Sequence, residues 1–229
     1  METIPKIIHL THFNRSIIPK KVWNKFKIFA KDYKVIYYSN QDCIRFITRN
    51  YSKEKADIFR KLATGAHKAD LFRYCVLYKL GGIYLDIKIV LVKNINTIFN
   101  HINKNILYTV LSGKHIFQAV IATYPGNNIF RPLIDDFNKL DNDYFKEKIR
   151  RNNPKYHYFT KRFYQVIKNR IGRNPTVGVN KYNNQKIILF QEKNVQINNE
   201  PDHKFGHWNI FNINKNRVFK SRYYDFPWI

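Results

Sequence analysis

Residues 66–88 read Ala66-His67-Lys68-Ala69-Asp70-Leu71-Phe72-Arg73-Tyr74-Cys75-Val76-Leu77-Tyr78-Lys79-Leu80-Gly81-Gly82-Ile83-Tyr84-Leu85-Asp86-Ile87-Lys88, and their reading decides the fold. Leu71, Phe72, Cys75, Val76, Leu77 and Leu80 leave little polar surface on any face, which predicts a buried helix. Asp70 and Arg73 interrupt it at i, i+3 spacing, on one face, within reach of each other or of a shared ligand. Gly81-Gly82 can supply the positive φ that ends a helix and turns the chain. Beyond it the residues alternate. Ile83, Leu85, Ile87, Ile89 and Leu91 point one way; Tyr84, Asp86, Lys88, Val90 and Val92 point the other. One strand is predicted here, with Tyr84, Asp86 and Lys88 lining one side of the sheet near its end.

Working outward, residues 4–10 read as a buried first strand, and residues 19–30 as a helix with Val22, Trp23, Phe26 and Phe29 on its apolar side. Residues 34–38 form a second strand, and Ser39-Asn40-Gln41-Asp42 caps a following helix. Strand, helix, strand, helix at this spacing predicts an α/β sheet with parallel strands. Ligands in such sheets bind outside the carboxyl ends of the strands, which is where Asp86 falls. On the other side, residues 106–110 and 116–123 read as strands and 124–128 as a turn. Residues 130–172 look helical, and the C-terminal part looks Asn-rich and irregular. No repeat, linker or boundary divides the chain, so residues 1–229 are expected to form a single domain.

Composition bounds the function. A chain of 229 residues with 44% hydrophobic and 16% aromatic content is long and apolar enough for one sizeable core. No apolar run is long enough to span a bilayer, and residues 1–5 do not resemble a signal peptide, so a cytoplasmic or peripheral membrane location is expected. Cys43 and Cys75 cannot build a disulfide framework and read as buried thiols; without Cys or His clusters a structural zinc site has no support. The formal charge of +25 points to polyanionic partners: nucleic acid, an anionic membrane surface or a phosphorylated substrate. A/T-rich coding, visible in the abundance of Lys, Asn, Ile, Tyr and Phe, explains the same charge without function. Residues 148–173 interleave Arg150, Arg151, Lys155, Lys161 and Arg162 with Tyr156, Tyr158, Phe159 and Phe163. That suits an anionic backbone or acceptor, but a solvated helix with a buried aromatic side is the reading preferred over it. No RRM, KH or helix-turn-helix signature argues for specific nucleic-acid binding.

The pattern Ala66-x-x-x-Asp70-x-x-Arg73-Tyr74-x-x-Leu77-Tyr78-x-x-Gly81-Gly82-Ile83-Tyr84-x-Asp86 closely resembles the sugar-binding region of DXD-type glycosyltransferases. The closest group contains the yeast initiating mannosyltransferases, with the large clostridial glucosylating toxins as distant relatives. Weaker similarity runs over residues 4–130. The resemblance implies a GT-A fold, a Rossmann-like mixed sheet flanked by helices, and transfer of a sugar, with retention, from a nucleotide diphosphate donor to a glycan or other acceptor. UDP-sugars and GDP-mannose both fit. The family pattern is Asp-x-Asp; this chain has Asp86-Ile87-Lys88.

Further roles follow from the resemblance. Asp70 and Arg73 would grip sugar hydroxyls, and Tyr84 would lie near the ribose or sugar. His9 ends the opening strand, whose end contacts the nucleotide. His12 stands where relatives carry a tryptophan and either stacks on a base or is a loop residue. Gln118 takes the place of an asparagine that faces the donor sugar, or is a strand amide facing its neighbour. His207, before Trp208, matches a late histidine that completes a metal and diphosphate site, or is structural. Departing diphosphate must be stabilised as its charge develops, and Mn²⁺ or Mg²⁺ held by carboxylates such as Asp86 is the usual device. Lys88 cannot ligate a cation. Three outcomes stay open: a metal-dependent enzyme that tolerates Lys88, an enzyme in which Lys88 contacts the diphosphate and replaces part of the metal's charge, and a catalytically lapsed fold that binds a sugar nucleotide or glycan. A basic nucleic-acid-binding protein is the alternative outside this family.

Overall fold

The computed structural model describes residues 3–99, 105–197 and 208–220. The chain opens with strand β1 (Ile7–Thr11), helix α1 (Lys20–Phe29), strand β2 (Lys34–Tyr38), and helices α2 (Asn40–Asn50), α3 (Lys53–Lys61) and α4 (Gly65–Leu80). Strands β3 (Gly82–Leu85) and β4 (Val90–Leu91), the turn of helix α5 (Ile95–Ile98), and strands β5 (Ile106–Ser112) and β6 (His115–Thr123) follow. Helices α6 (Phe130–Asp135), α7 (Asp143–Lys146) and α8 (Tyr158–Ile171) come next, then strands β7 (Gly178–Tyr182), β8 (Gln185–Asn194), β9 (Trp208–Phe211) and β10 (Arg217–Lys220). Ser39 begins α2 as expected: its side chain accepts from the Asp42 amide while the Asp42 carboxylate accepts from the Ser39 amide.

All the strands lie in one mixed sheet, in the order β2-β1-β3-β6-β5-β8-β9-β10-β4, with β7 beside β8. Strands β2, β1 and β3 are parallel, as the spacing predicts, and β6 runs antiparallel to β3. The chain leaves β1 for β2 on one side and returns to β3 on the other. That reversal opens a crevice at the carboxyl ends of β1 and β3, where Thr11-His12 and Leu85-Asp86 lie. One apolar core packs the sheet against α1 and includes Val22, Phe26, Leu91 and Phe219. A second packs the other face against α2, α4, α6 and α8, with Phe72, Tyr74, Phe130 and Phe163. Both cysteines are free and buried. Among the described residues no helix is long and apolar enough to cross a membrane.

Three expectations need correction. The alternating run 83–92 is not one strand. It breaks after Leu85 in a turn closed by the Ile89 amide donating to the Asp86 carbonyl at 2.9 Å. The chain then joins the sheet again as β4, which pairs with β10 at the far end of the order. A flat sheet would set β3 and β4 about 29 Å apart at roughly 4.8 Å per strand. The residues between Leu85 and Val90 reach at most about 18 Å. The sheet therefore curls, and the segment 86–89 closes it. The C-terminal part, expected to be irregular, supplies β7 to β10, including the long strand β8 between β5 and β9. The helical stretch 130–172 is broken into short pieces and the single long helix α8. In α8 the aromatics Phe159, Phe163 and Tyr164 are buried, and Phe159 stacks on Phe137 at 4.0 Å. Those faces are core, so they offer no platform for bases.

His9 secures the junction behind the crevice. It has no exposed surface, and its Nε2–H donates to the Gly81 carbonyl at 3.0 Å, leaving Nδ1 to accept from the Tyr38 hydroxyl at 3.2 Å. Gly81 and Gly82 adopt φ values of +63° and +93°, and a Cβ on Gly82 would lie 2.7 Å from the Ile7 carbonyl oxygen. Burial lowers the His9 pKa from 6.5 to about 4, against a smaller opposing effect of the Gly81 hydrogen bond. The unfolded chain therefore binds the proton more readily. The stability from neutral His9 is complete above pH 6.5 and is lost as pH falls toward 4. The expected loss across that window is about 3 kcal/mol. Urea unfolding at a series of pH values measures it, and His9→Gln is expected to flatten most of the slope.

Candidate functional site

Helix α4 has almost no polar side, and nine of its residues are buried, including His67, Asp70 and Arg73. Its acidic and basic side chains therefore have to find partners inside the protein. Arg73 finds several. Its Nε donates to the Ala69 carbonyl at 3.1 Å and its Nη1 to the Gln118 carbonyl on β6 at 2.6 Å. Its Nη2 lies 3.2 Å from Asp86 Oδ1 and 3.5 Å from Asp70 Oδ1. The guanidinium carbon Cζ sits over the Tyr84 ring, 4.6 Å from its centre. A planar fork of fixed donors is what allows one cation to hold a helix, two strands and two carboxylates together.

Asp86 stands at the carboxyl end of β3, with its amide donating to the Ala119 carbonyl at 2.9 Å. Its second oxygen, Oδ2, faces Lys88 Nζ at 3.4 Å. The Lys88 ammonium also lies over the Phe117 ring, 5.1 Å from the centroid, and its side chain keeps 30% of its surface exposed. The two carboxylates differ. Burial pushes the Asp70 carboxyl up, and Arg73 offsets this only in part. Burial pushes Asp86 up too, but Arg73 and Lys88 outweigh it and hold the carboxyl below its ordinary value. The pair is thus one firmly ionised acid and one reluctant one on the two sides of a shared arginine.

One buried polar atom at this cluster has no hydrogen-bond partner. The Tyr84 hydroxyl lies against Asp86, and burial raises its pKa well above the ordinary value. Gln118 uses its Oε1 to accept from the Tyr74 hydroxyl at 2.5 Å, while its Nε2 meets nothing. The same region adds two residues that the sequence did not single out. Tyr74 orients Gln118. His67, one turn before Asp70 on α4, is fully buried with its Nδ1 unpartnered and its Nε2 3.2 Å from the Tyr156 carbonyl oxygen. Its i, i−3 relation to Asp70 was the available signal.

The structure thus brings together Asp70, Arg73, Tyr84, Asp86, Lys88 and Gln118. Two other expected residues make their side-chain hydrogen bonds outside this cluster, although His9 pairs with Tyr84 in the sheet. His9 is enclosed between Tyr38 and Gly81, as described above. His12 lies at the carboxyl end of β1, with its ring against Phe13 at 4.5 Å and its Nδ1 2.8 Å from the Asn14 carbonyl oxygen. His207 lies outside the described residues. An open groove of about 770 Å³ runs between α1 and β2 and is lined by Arg15, Trp23 and Tyr37, away from Asp86.

Among the described residues, the donor set at this cluster does not fit a divalent cation. Both oxygens of Asp86 already face cations, and the formal charges of Asp70, Asp86, Arg73 and Lys88 cancel. Mg²⁺ and Mn²⁺ need several hard oxygen ligands and gain from negative surroundings. Among the described residues no group of three or more His, Cys, Asp or Glu side chains could hold a metal ion.

Comparison with known proteins agrees with this geometry. Residues 19–105 match the family model described as glycosyltransferase sugar-binding region containing DXD motif. An uncharacterized glycosyltransferase of Acanthamoeba polyphaga mimivirus is 27% identical over 111 residues, covering 47% of this chain and 43% of that protein. The chain therefore spans less than half the length of that curated relative. Among solved structures the PaToxG glycosyltransferase superposes with a TM-score of 0.53 at 17% identity, over 75% of this chain and 71% of that one, a likeness of fold. The motif of the family stands here as Asp86-Ile87-Lys88. Residues 19–105 thus resemble the sugar-binding region of DXD-type glycosyltransferases, in a fold shared with a solved glycosyltransferase.

Proposed function

We propose that the chain transfers a sugar from a nucleoside diphosphate donor, a UDP-sugar or GDP-mannose, to a glycan or phosphorylated acceptor, with retention at the anomeric carbon. The observation that carries this reading is the buried Asp70–Arg73–Asp86 cluster at the carboxyl end of β3, beside Tyr84 and the unpartnered Gln118 Nε2. Unpaired polar groups inside a protein are costly, and a hydroxyl-rich ligand supplies the partners they lack. In this reading Asp70 accepts from sugar hydroxyls. Arg73 is a positioning residue, since its contacts hold Asp70, Asp86 and the β6 backbone in place. The charge of +25 suits an acceptor that carries phosphates or is presented on an anionic membrane surface. A second reading, donor binding without transfer, draws on the pairing of Asp86 with Lys88.

Thermal unfolding against a panel of UDP- and GDP-sugars tests the proposal, because a ligand of the folded state raises the midpoint with its concentration. One donor is expected to raise it, and release of the nucleoside diphosphate in the presence of acceptor separates transfer from binding alone. No rise with any donor would sink both readings. Asp70→Asn is expected to keep the unliganded midpoint, since burial already disfavours the charged carboxyl, yet to weaken donor binding by about ten- to a hundredfold. Arg73→Lys is expected to lower the unliganded midpoint as well, by about 3 kcal/mol in stability, because an ammonium cannot bridge the same groups.

A further inference from the structure

We propose that Lys88 supplies the positive charge that stabilises the departing diphosphate, so that this chain needs no divalent cation for transfer. The inference rests on the transferase reading above. Lys88 stands where the family motif has its second aspartate, in the turn 86–89 that closes the curled sheet. Its ammonium is held from two sides: Asp86 Oδ2 at 3.4 Å and the Phe117 ring at 5.1 Å. An exposed lysine on a flexible stem has no fixed position; this one is aimed. One of its N–H groups faces Asp86, which leaves donors and the exposed part of the side chain for phosphate oxygens. Asp86 does not lose its counterion when Lys88 turns to the phosphate, because Arg73 stays on Oδ1 at 3.2 Å. A divalent cation at the same place would meet an ammonium within a cluster whose charges already cancel, instead of a pair of carboxylates.

The chemical step balances without it. The bond from the anomeric carbon to the diphosphate oxygen breaks, and its electron pair goes to that oxygen. The acceptor hydroxyl oxygen forms the new bond to the anomeric carbon. The hydroxyl proton ends on the released diphosphate. Lys88 keeps its three protons throughout and acts through hydrogen bonding and charge, as a preorganised group does at a developing oxyanion.

The test compares the full chain with Lys88→Asp and Lys88→Gln, measuring donor-induced midpoint shift and transfer rate in EDTA and in Mn²⁺. Lys88 lies in a partly exposed turn, and unliganded midpoints of the variants report whether the fold is kept. For the unaltered chain, the same shift and rate in both conditions are expected. Lys88→Gln is expected to lose at least a hundredfold in kcat with little change in KM, in EDTA and Mn²⁺ alike. Lys88→Asp is expected to be equally slow in EDTA and to recover at least tenfold with Mn²⁺. A donor shift or rate in the unaltered chain that appears only with Mn²⁺ overturns the inference while leaving the transferase reading intact. So does Lys88→Gln at full rate in EDTA. No donor shift under either condition overturns the transferase reading and this inference with it.

Discussion

The buried guanidinium of Arg73 is the constraint on which the rest of the site depends. It joins α4 to β6 through the Gln118 carbonyl and to the end of β3 through Asp86, and it lies over the Tyr84 ring. Burying such a cation is unfavourable unless every donor is matched, and the matching groups come from three elements. The cluster therefore forms only when the helix, the strand and its antiparallel neighbour are all in place. In return it fixes the spacing of Asp70 and Asp86, which neither element would set alone.

The sheet explains why that spacing falls where a ligand can reach it. Parallel strands β2, β1 and β3 leave a crevice at their carboxyl ends, and α4 returns antiparallel to β3 so that its charged face meets the end of the strand. The glycine pair permits the close return, with Gly82 against the β1 backbone and Gly81 against Pro125. His9 completes the junction as a neutral imidazole with both nitrogens satisfied. Its role is in the framework behind the crevice, while the charged chemistry lies in front.

Much of this was legible in the sequence because local rules and tertiary demands agree there. The glycine pair, the i, i+3 charges and the strand-helix alternation of residues 4–85 lead to the observed elements apart from α3, which the alternation does not include. The run 83–92 misleads because its alternation is real but serves two strands: Ile87 and Ile89 are buried in the same core as Leu85, yet a turn separates them from it. Periodicity cannot see a hydrogen bond from Ile89 to Asp86. The C-terminal strands were hidden by their many asparagines. A signal was present in the apolar run 187–190 after Asn183, which takes φ = 48° in the turn between β7 and β8. At the site, residue types were readable and their partners were not. That Arg73 would bind the Gln118 carbonyl, or that Lys88 would settle between Asp86 and Phe117, depends on which strands become neighbours.

The curl of the sheet carries a consequence for how the protein comes into being. Among the described residues, strand β4, joined to β3 through the Asp86 turn, finds its strand partner in β10, where Leu91 meets Phe219. During synthesis the glycine junction and the charged helix leave the ribosome long before that partner exists. The N-terminal half can pack its parallel strands early, but the turn bearing Asp86 and Lys88 stays untethered on one side until β10 has been made and docked. The ordering of the site is thus timed to the completion of the sheet, and a chain halted before β10 would hold most of the residues of the site without the seam that sets their positions.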